Sequence, residues 1–106
     1  MLKEIAVVRD YDEFHQALRN YVRRLNTTYE SIGLAAEFSD GYVAKLLSAA
    51  PTKGIGPRTL GPLLKNVGLV MILAQDIEAM PSVREALSPP KRIDRWRTEI
   101  AAGAQT

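Results

Sequence analysis

Apolar residues recur at helical spacing through the middle of this chain and gather into short unbroken runs on either side. Phe14, Leu18, Val22 and Leu25 stand three or four apart, which predicts an amphipathic helix from about Tyr11 to Leu25. Asp10 can cap it, and Arg19, Arg23 and Arg24 fall mostly off the apolar stripe as a solvated face. Asn26, Thr27 and Thr28 break the pattern. Thr28 then caps a second helix, with Glu30 in its first turn and Ile32, Ala35 and Ala36 on the inner side. Phe38 falls in the next turn, where it plugs the core. Ser39 caps a third helix reaching Ser48, which carries Val43, Leu46 and Leu47 inward. The stretch AAPTKGIGPRT reads as a loop by its glycines and prolines. Thr59 caps a fourth helix to about Asn66, with Pro62 in its first turn and Gly68 as its stop.

The unbroken apolar runs read as strands. Glu4 to Val8, EIAVV, is one; Leu69 to Gln75, LVMILAQ, is the other and its natural partner, in the same chain or in a second subunit. Past Asp76, prolines at 81, 89 and 90 punctuate the chain. Val83 to Leu87 suits a helical turn, and Ile93 to Ala102 a short helix with Ile93, Trp96 and Ile100 on one side. The expected fold is mainly α: a helix-turn-helix bundle of four to five helices with a minor two-stranded β element. Residues 1–80 form the domain, and residues 81–106 a tail, helical or dimerising.

Composition narrows the chemistry. A chain of 106 residues, 46% hydrophobic and 25% charged, supports one domain with a modest core. Its longest apolar run is far below the ~20 residues that span a bilayer. Acids follow the short apolar stretch of MLKEIAVVRDYDEF at once, which is not a secretory pattern, so a cytoplasmic location is expected. Cysteine is absent, which removes disulfides and thiolate metal sites. His15 is the lone histidine and is expected on an exposed helix face. With no nucleophile, base and orienter together, an enzyme is the weakest reading, and no cofactor is expected.

The net charge of +2 says less than its distribution. Between Glu13 and Glu30 lie Arg19, Arg23 and Arg24 without an acid; between Asp40 and Asp76 lie Lys45, Lys53, Arg58 and Lys65, again without one. Such local basic fields attract phosphate. Gly54 and Gly56 expose backbone N–H groups between Lys53 and Arg58, and the start of the fourth helix adds its dipole. The same features also suit an ordinary solvated turn.

From Thr28 to Ser48 the chain reads TYESIGLAAEFSDGYVAKLLS. This has the parts of a helix-turn-helix in order: small residues for close packing at Gly33 and Ala36, an apolar corner at Phe38, a cap at Ser39, and apolar residues at Val43 and Leu46. Glu37 departs from it, standing where glycine is usual because positive φ is common there. From Tyr11 to Gly68 the chain resembles the phage-repressor and Cro-like (XRE-type) helix-turn-helix family. The segments FSDGYVAKLL and KGIGPRTLGPLLKNVGLVMILAQD also look like those of a group of small bacterial regulators.

The resemblance implies DNA-binding roles. Thr28 and Tyr29 stand where that family touches the DNA backbone. Asp40, Gly41 and Ala44 stand at its base-reading positions, with Ser39 before them and Tyr42 and Lys45 beside them. Independently of the resemblance, the charges and open amides of the loop suit phosphate at Lys53, Gly54 and Arg58, with Thr59 at the start of the fourth helix. Gly41 and Ala44 offer no hydrogen-bonding side chain, so base reading is sparse and Tyr42, Lys45 and the loop carry more of it. Two residues keep a second reading: Asp40 as a helix-start acid, and Tyr42 as a ring packed on the fourth helix. The expectation is a transcriptional regulator that binds double-stranded DNA at a pseudo-palindromic operator as a homodimer. The copies would join through Leu69 to Gln75 and the region of Trp96. The rivals are an antitoxin-type autorepressor whose tail holds a partner protein, and a protein-interaction domain without DNA binding.

Overall fold

In the computed structural model, residues 1–88 are described. They contain five helices: α1 (Tyr11–Arg24), α2 (Tyr29–Ala35), α3 (Tyr42–Leu47), α4 (Pro57–Asn66) and α5 (Met80–Ala86). The chain divides into two units, Met1–Met71 and Ile72–Thr106. The sequence-predicted helix around Trp96 lies outside the described residues.

The first unit holds α1 to α4. Asp10 caps α1 by accepting from the Glu13 N–H at 2.8 Å, and the Glu13 carboxylate reaches back to the Arg9 N–H at 2.8 Å. This reciprocal pair is a close variant of the capping box. Thr28 caps α2 by accepting from the Ser31 N–H at 3.0 Å. α3 packs against both α1 and α2, and α2 also packs against α4. Leu18, Val22, Ile32, Val43, Leu46, Leu47, Leu63 and Val67 make the core, with Phe14, Phe38, Tyr42, Ile55 and Leu69 partly buried around it. Ala35 is exposed instead of inward. At Gly33 an added Cβ would meet Val43 at 3.5 Å, an ordinary contact, so space alone does not demand glycine there.

The turn after α2 is a Schellman motif. The Phe38 N–H donates to Gly33 O at 2.9 Å and the Glu37 N–H to Leu34 O at 3.2 Å, with Glu37 at φ 59°. The position where the resembled motif has glycine is therefore left-handed here, and glutamate occupies it. The strain costs about 1–2 kcal/mol, partly offset by the lower chain entropy that a non-glycine residue loses on folding. Glu37→Gly is expected to stabilise the fold by about 0.5–1 kcal/mol, read as a higher urea midpoint with an unchanged slope. A lower midpoint would show that the Glu37 side chain makes a compensating contact.

Three expectations about element boundaries need correction. Ser39 does not cap α3: the N-cap is Gly41, at φ 75°, with no side-chain cap. Ser39 and Asp40 belong to the turn, which shortens α3 to six residues. Thr59 does not cap α4: Gly56 does, and Pro57 takes the first helical position, where its missing N–H costs nothing. Pro62 therefore falls inside the helix, past its first turn. There it deprives the Arg58 carbonyl of its helical donor, at an exposed position where water can replace it.

Neither apolar run forms a strand within the described chain. No strand is present among the described residues, and residues 1–9 and 69–76 carry no regular structure. High β-propensity makes a ladder only where a partner strand is supplied, and the described chain supplies none. In the second unit, α5 covers Val83–Ala86 of the expected Val83–Leu87 turn, with Leu87 as its C-cap, and contains no buried residue.

Candidate nucleic-acid interface

A helix of six residues survives only if its ends are tied down, because most of its backbone groups lack intrahelical partners. The last four carbonyls of α3 are all satisfied from outside the regular ladder or at its edge. Ala44 O accepts from the Ser48 N–H at 3.1 Å. Lys45 O accepts from the Thr52 and Lys53 N–H groups at 3.1 and 3.3 Å. Leu46 O lies 2.7 Å from His15 Nε2. A carbonyl can only accept, so Nε2 carries the proton. Leu47 O accepts from Arg19 Nε at 2.8 Å and from the Tyr29 hydroxyl at 3.1 Å. α1, α2 and the loop thus hold α3 by its C-terminal end.

These contacts change several sequence assignments. His15 is no idle surface residue, and Arg19 is not part of a free solvated face: both position α3. Tyr29 spends its hydroxyl on Leu47 and remains 37% exposed at the far end of α3 from Gly41. The Thr28 hydroxyl is committed to its cap and to Ser31. Sequence reading missed His15 and Arg19 because their partners lie 31 and 28 residues away. The available signal was their position one turn apart on α1, off its apolar stripe.

At the other end of α3, Tyr42 turns inward. Its ring meets Phe38 edge-on at 5.3 Å, and its hydroxyl lies 3.0 Å from Thr59 Oγ1. Of its two readings, packing on α4 is the one observed. Thr59 is only 8% exposed and is matched to Tyr42, so neither side chain projects freely outward. The Lys53 ammonium sits 5.4 Å from the centre of the Tyr42 ring, a cation–π distance.

One exposed patch results. Two hydrogen bonds from Thr52 and Lys53 lock the loop onto Lys45, and the Tyr42–Thr59 contact locks α3 to the first turn of α4. Lys45, Lys53, Gly54 and Arg58 are exposed on these joined elements, with Asp40, Gly41 and Ala44 exposed at the start of α3. Among the described residues Lys45, Lys53 and Arg58 form no ion pair, and the amides of Gly54 and Gly56 donate to no backbone acceptor. The Ile55 N–H is used, donating to the Tyr11 hydroxyl at 2.7 Å. Tyr11 also helps line an open depression of about 450 Å³ beside the loop, where Asp12 and Lys53 both contribute. Three cations and open amides suit an anion with several oxygens, and Asp12 bounds the region that would welcome one.

The described residues hold no cluster of three or more potential metal ligands and no helix long and apolar enough to cross a membrane. Comparison with protein-family models, curated proteins and solved structures found no match.

Proposed function

We propose that this chain is a double-stranded DNA-binding transcriptional regulator of the phage-repressor and Cro-like type. It acts in the cytoplasm, on the nucleoid, without a cofactor. A homodimer lays residues 39–48 of each copy in the major groove of a pseudo-palindromic operator, with half-sites about 34–36 Å apart. The observation that carries this reading is the union of Lys45, Lys53 and Arg58 around an α3 anchored at both ends.

The roles follow from which groups remain outward. Lys45 can donate to guanine O6 and N7, the Ala44 methyl can meet a thymine methyl, and Asp40 can accept from a cytosine amino group. Lys53, Arg58 and the Gly54 amide take phosphates. With Tyr42 turned inward, base reading rests chiefly on Lys45. Exposed Val83 and Leu87 on and beside α5 lend support to a second reading, an autorepressor whose tail holds a partner protein. Co-purification with the product of a neighbouring gene would favour it.

The test is a gel-shift titration with DNA from upstream of the protein's own gene, against scrambled competitor, at two salt concentrations. A specific, salt-sensitive shift is expected. Lys45→Ala should weaken it by about tenfold for each half-site, a loss inside the roughly 1–3 kcal/mol that one base contact contributes to discrimination. Retention of full affinity by that variant would remove α3 from the groove. No shift at low salt would overturn the DNA-binding reading.

A further inference from the structure

We infer that residues 69–75 pair antiparallel with the same residues of a second copy, with the twofold axis at Ile72. The inference deepens the homodimer part of the proposed function, and its test needs no DNA.

The run is the most exposed apolar stretch of the described chain: Val70 is 62% exposed, Met71 60%, Ile72 68% and Leu73 103%. Residues 70–75 make no backbone hydrogen bond among the described residues. An uncharged, exposed segment of high β-propensity with an unused backbone is a template for another strand. Its N-terminal end is fixed, because Leu69 packs on the core and its N–H donates to Leu64 O at 2.9 Å, next to Gly68 at φ 75°.

The charge pattern selects the occupant and the direction. No charge occurs from Asn66 to Gln75; the exposed cation Lys65 lies before the run and the exposed acid Glu78 after it. Antiparallel pairing of two copies brings each basic end towards the other's acidic end, whereas parallel pairing would align like charges. With Ile72 opposite itself, Met71 faces Leu73, Val70 faces Ala74 and Leu69 faces Gln75. Every pair is uncharged, and the largest side chains meet at the centre.

A twofold axis through one residue has a distinctive test. Ile72→Lys places two ammonium groups opposite each other, and Ile72→Glu places two carboxylates there. By sedimentation at micromolar chain concentration, the wild type is expected to be dimeric and each variant monomeric, with unchanged circular dichroism. An equimolar mixture of the two variants should regain the dimer as a Lys–Glu heterodimer. The chain lacks cysteine, so Ile72→Cys adds a single thiol, and mild oxidation should cross-link it several-fold more than Val70→Cys or Ala74→Cys. A monomeric wild type, dimeric Ile72→Lys and Ile72→Glu variants, or failure of the mixture to restore the dimer would each overturn the inference. Lost DNA binding with an intact dimer would count against the proposed function alone.

Discussion

Leu46→Ala is expected to lower the stability of the helical unit by about 3–4 kcal/mol, the largest effect of any single truncation considered for this chain. Leu46 is 0% exposed and lies on α3, which touches both α1 and α2. A truncation there removes the transfer free energy of the side chain and leaves a cavity that three helices must close around. A unit the size of Met1–Met71 has a total stability on the order of 4–11 kcal/mol, so the loss is about a quarter of it or more. Lys45, one residue earlier and exposed, is the control: Lys45→Ala should stay within about 0.5 kcal/mol. Urea unfolding followed by circular dichroism measures both. A Leu46→Ala penalty under about 1 kcal/mol would mean that α3 is not the element the others pack upon.

The contrast between Leu46 and its neighbours shows which links from sequence to structure were legible. The start of α1 could be read because a side chain announces it: Asp10 before a helical stripe. Thr28 announces α2 in the same way, and Gly68 ends α4 by supplying positive φ. These signals are local, acting within four residues. Ser39 carried an equally good local signal for α3 and was misleading. The Schellman turn at Glu37 and the left-handed Gly41 keep the chain turning for two further residues, so helix geometry begins only at Tyr42. Serine can cap only if the residues after it are already helical.

The inward turn of Tyr42 and the use of His15 and Arg19 as donors were not legible, because they depend on which helix lies beside which. The apolar runs fail for another reason. EIAVV and LVMILAQ have the composition of strands, but a ladder is a property of two segments, and the described residues of one chain do not pair them. The basic cluster between Asp40 and Asp76 was readable as a run without acids. Its convergence into one patch required the bonds from the loop to Lys45 and from Tyr42 to Thr59.

That convergence makes the second large effect calculable. If Lys53 and Arg58 each neutralise one phosphate, each contributes about 0.9 to the slope of log affinity against log salt. Replacing both by alanine should flatten the slope by nearly two units per subunit. Between about 50 and 200 mM salt, a slope change of that size alters the affinity ratio roughly tenfold per subunit. The loss should be similar on operator and scrambled DNA, because phosphate contacts hold the protein in place without reading bases. Arg23→Ala is the matched control, removing one exposed cation from the last turn of α1, an element outside the loop and the start of α4. Its slope should equal that of the wild type. A double variant with an unaltered slope would detach the loop and the start of α4 from DNA, leaving Lys45 alone to account for any binding. A slope reduced only on operator DNA would recast Lys53 or Arg58 as a reader of bases.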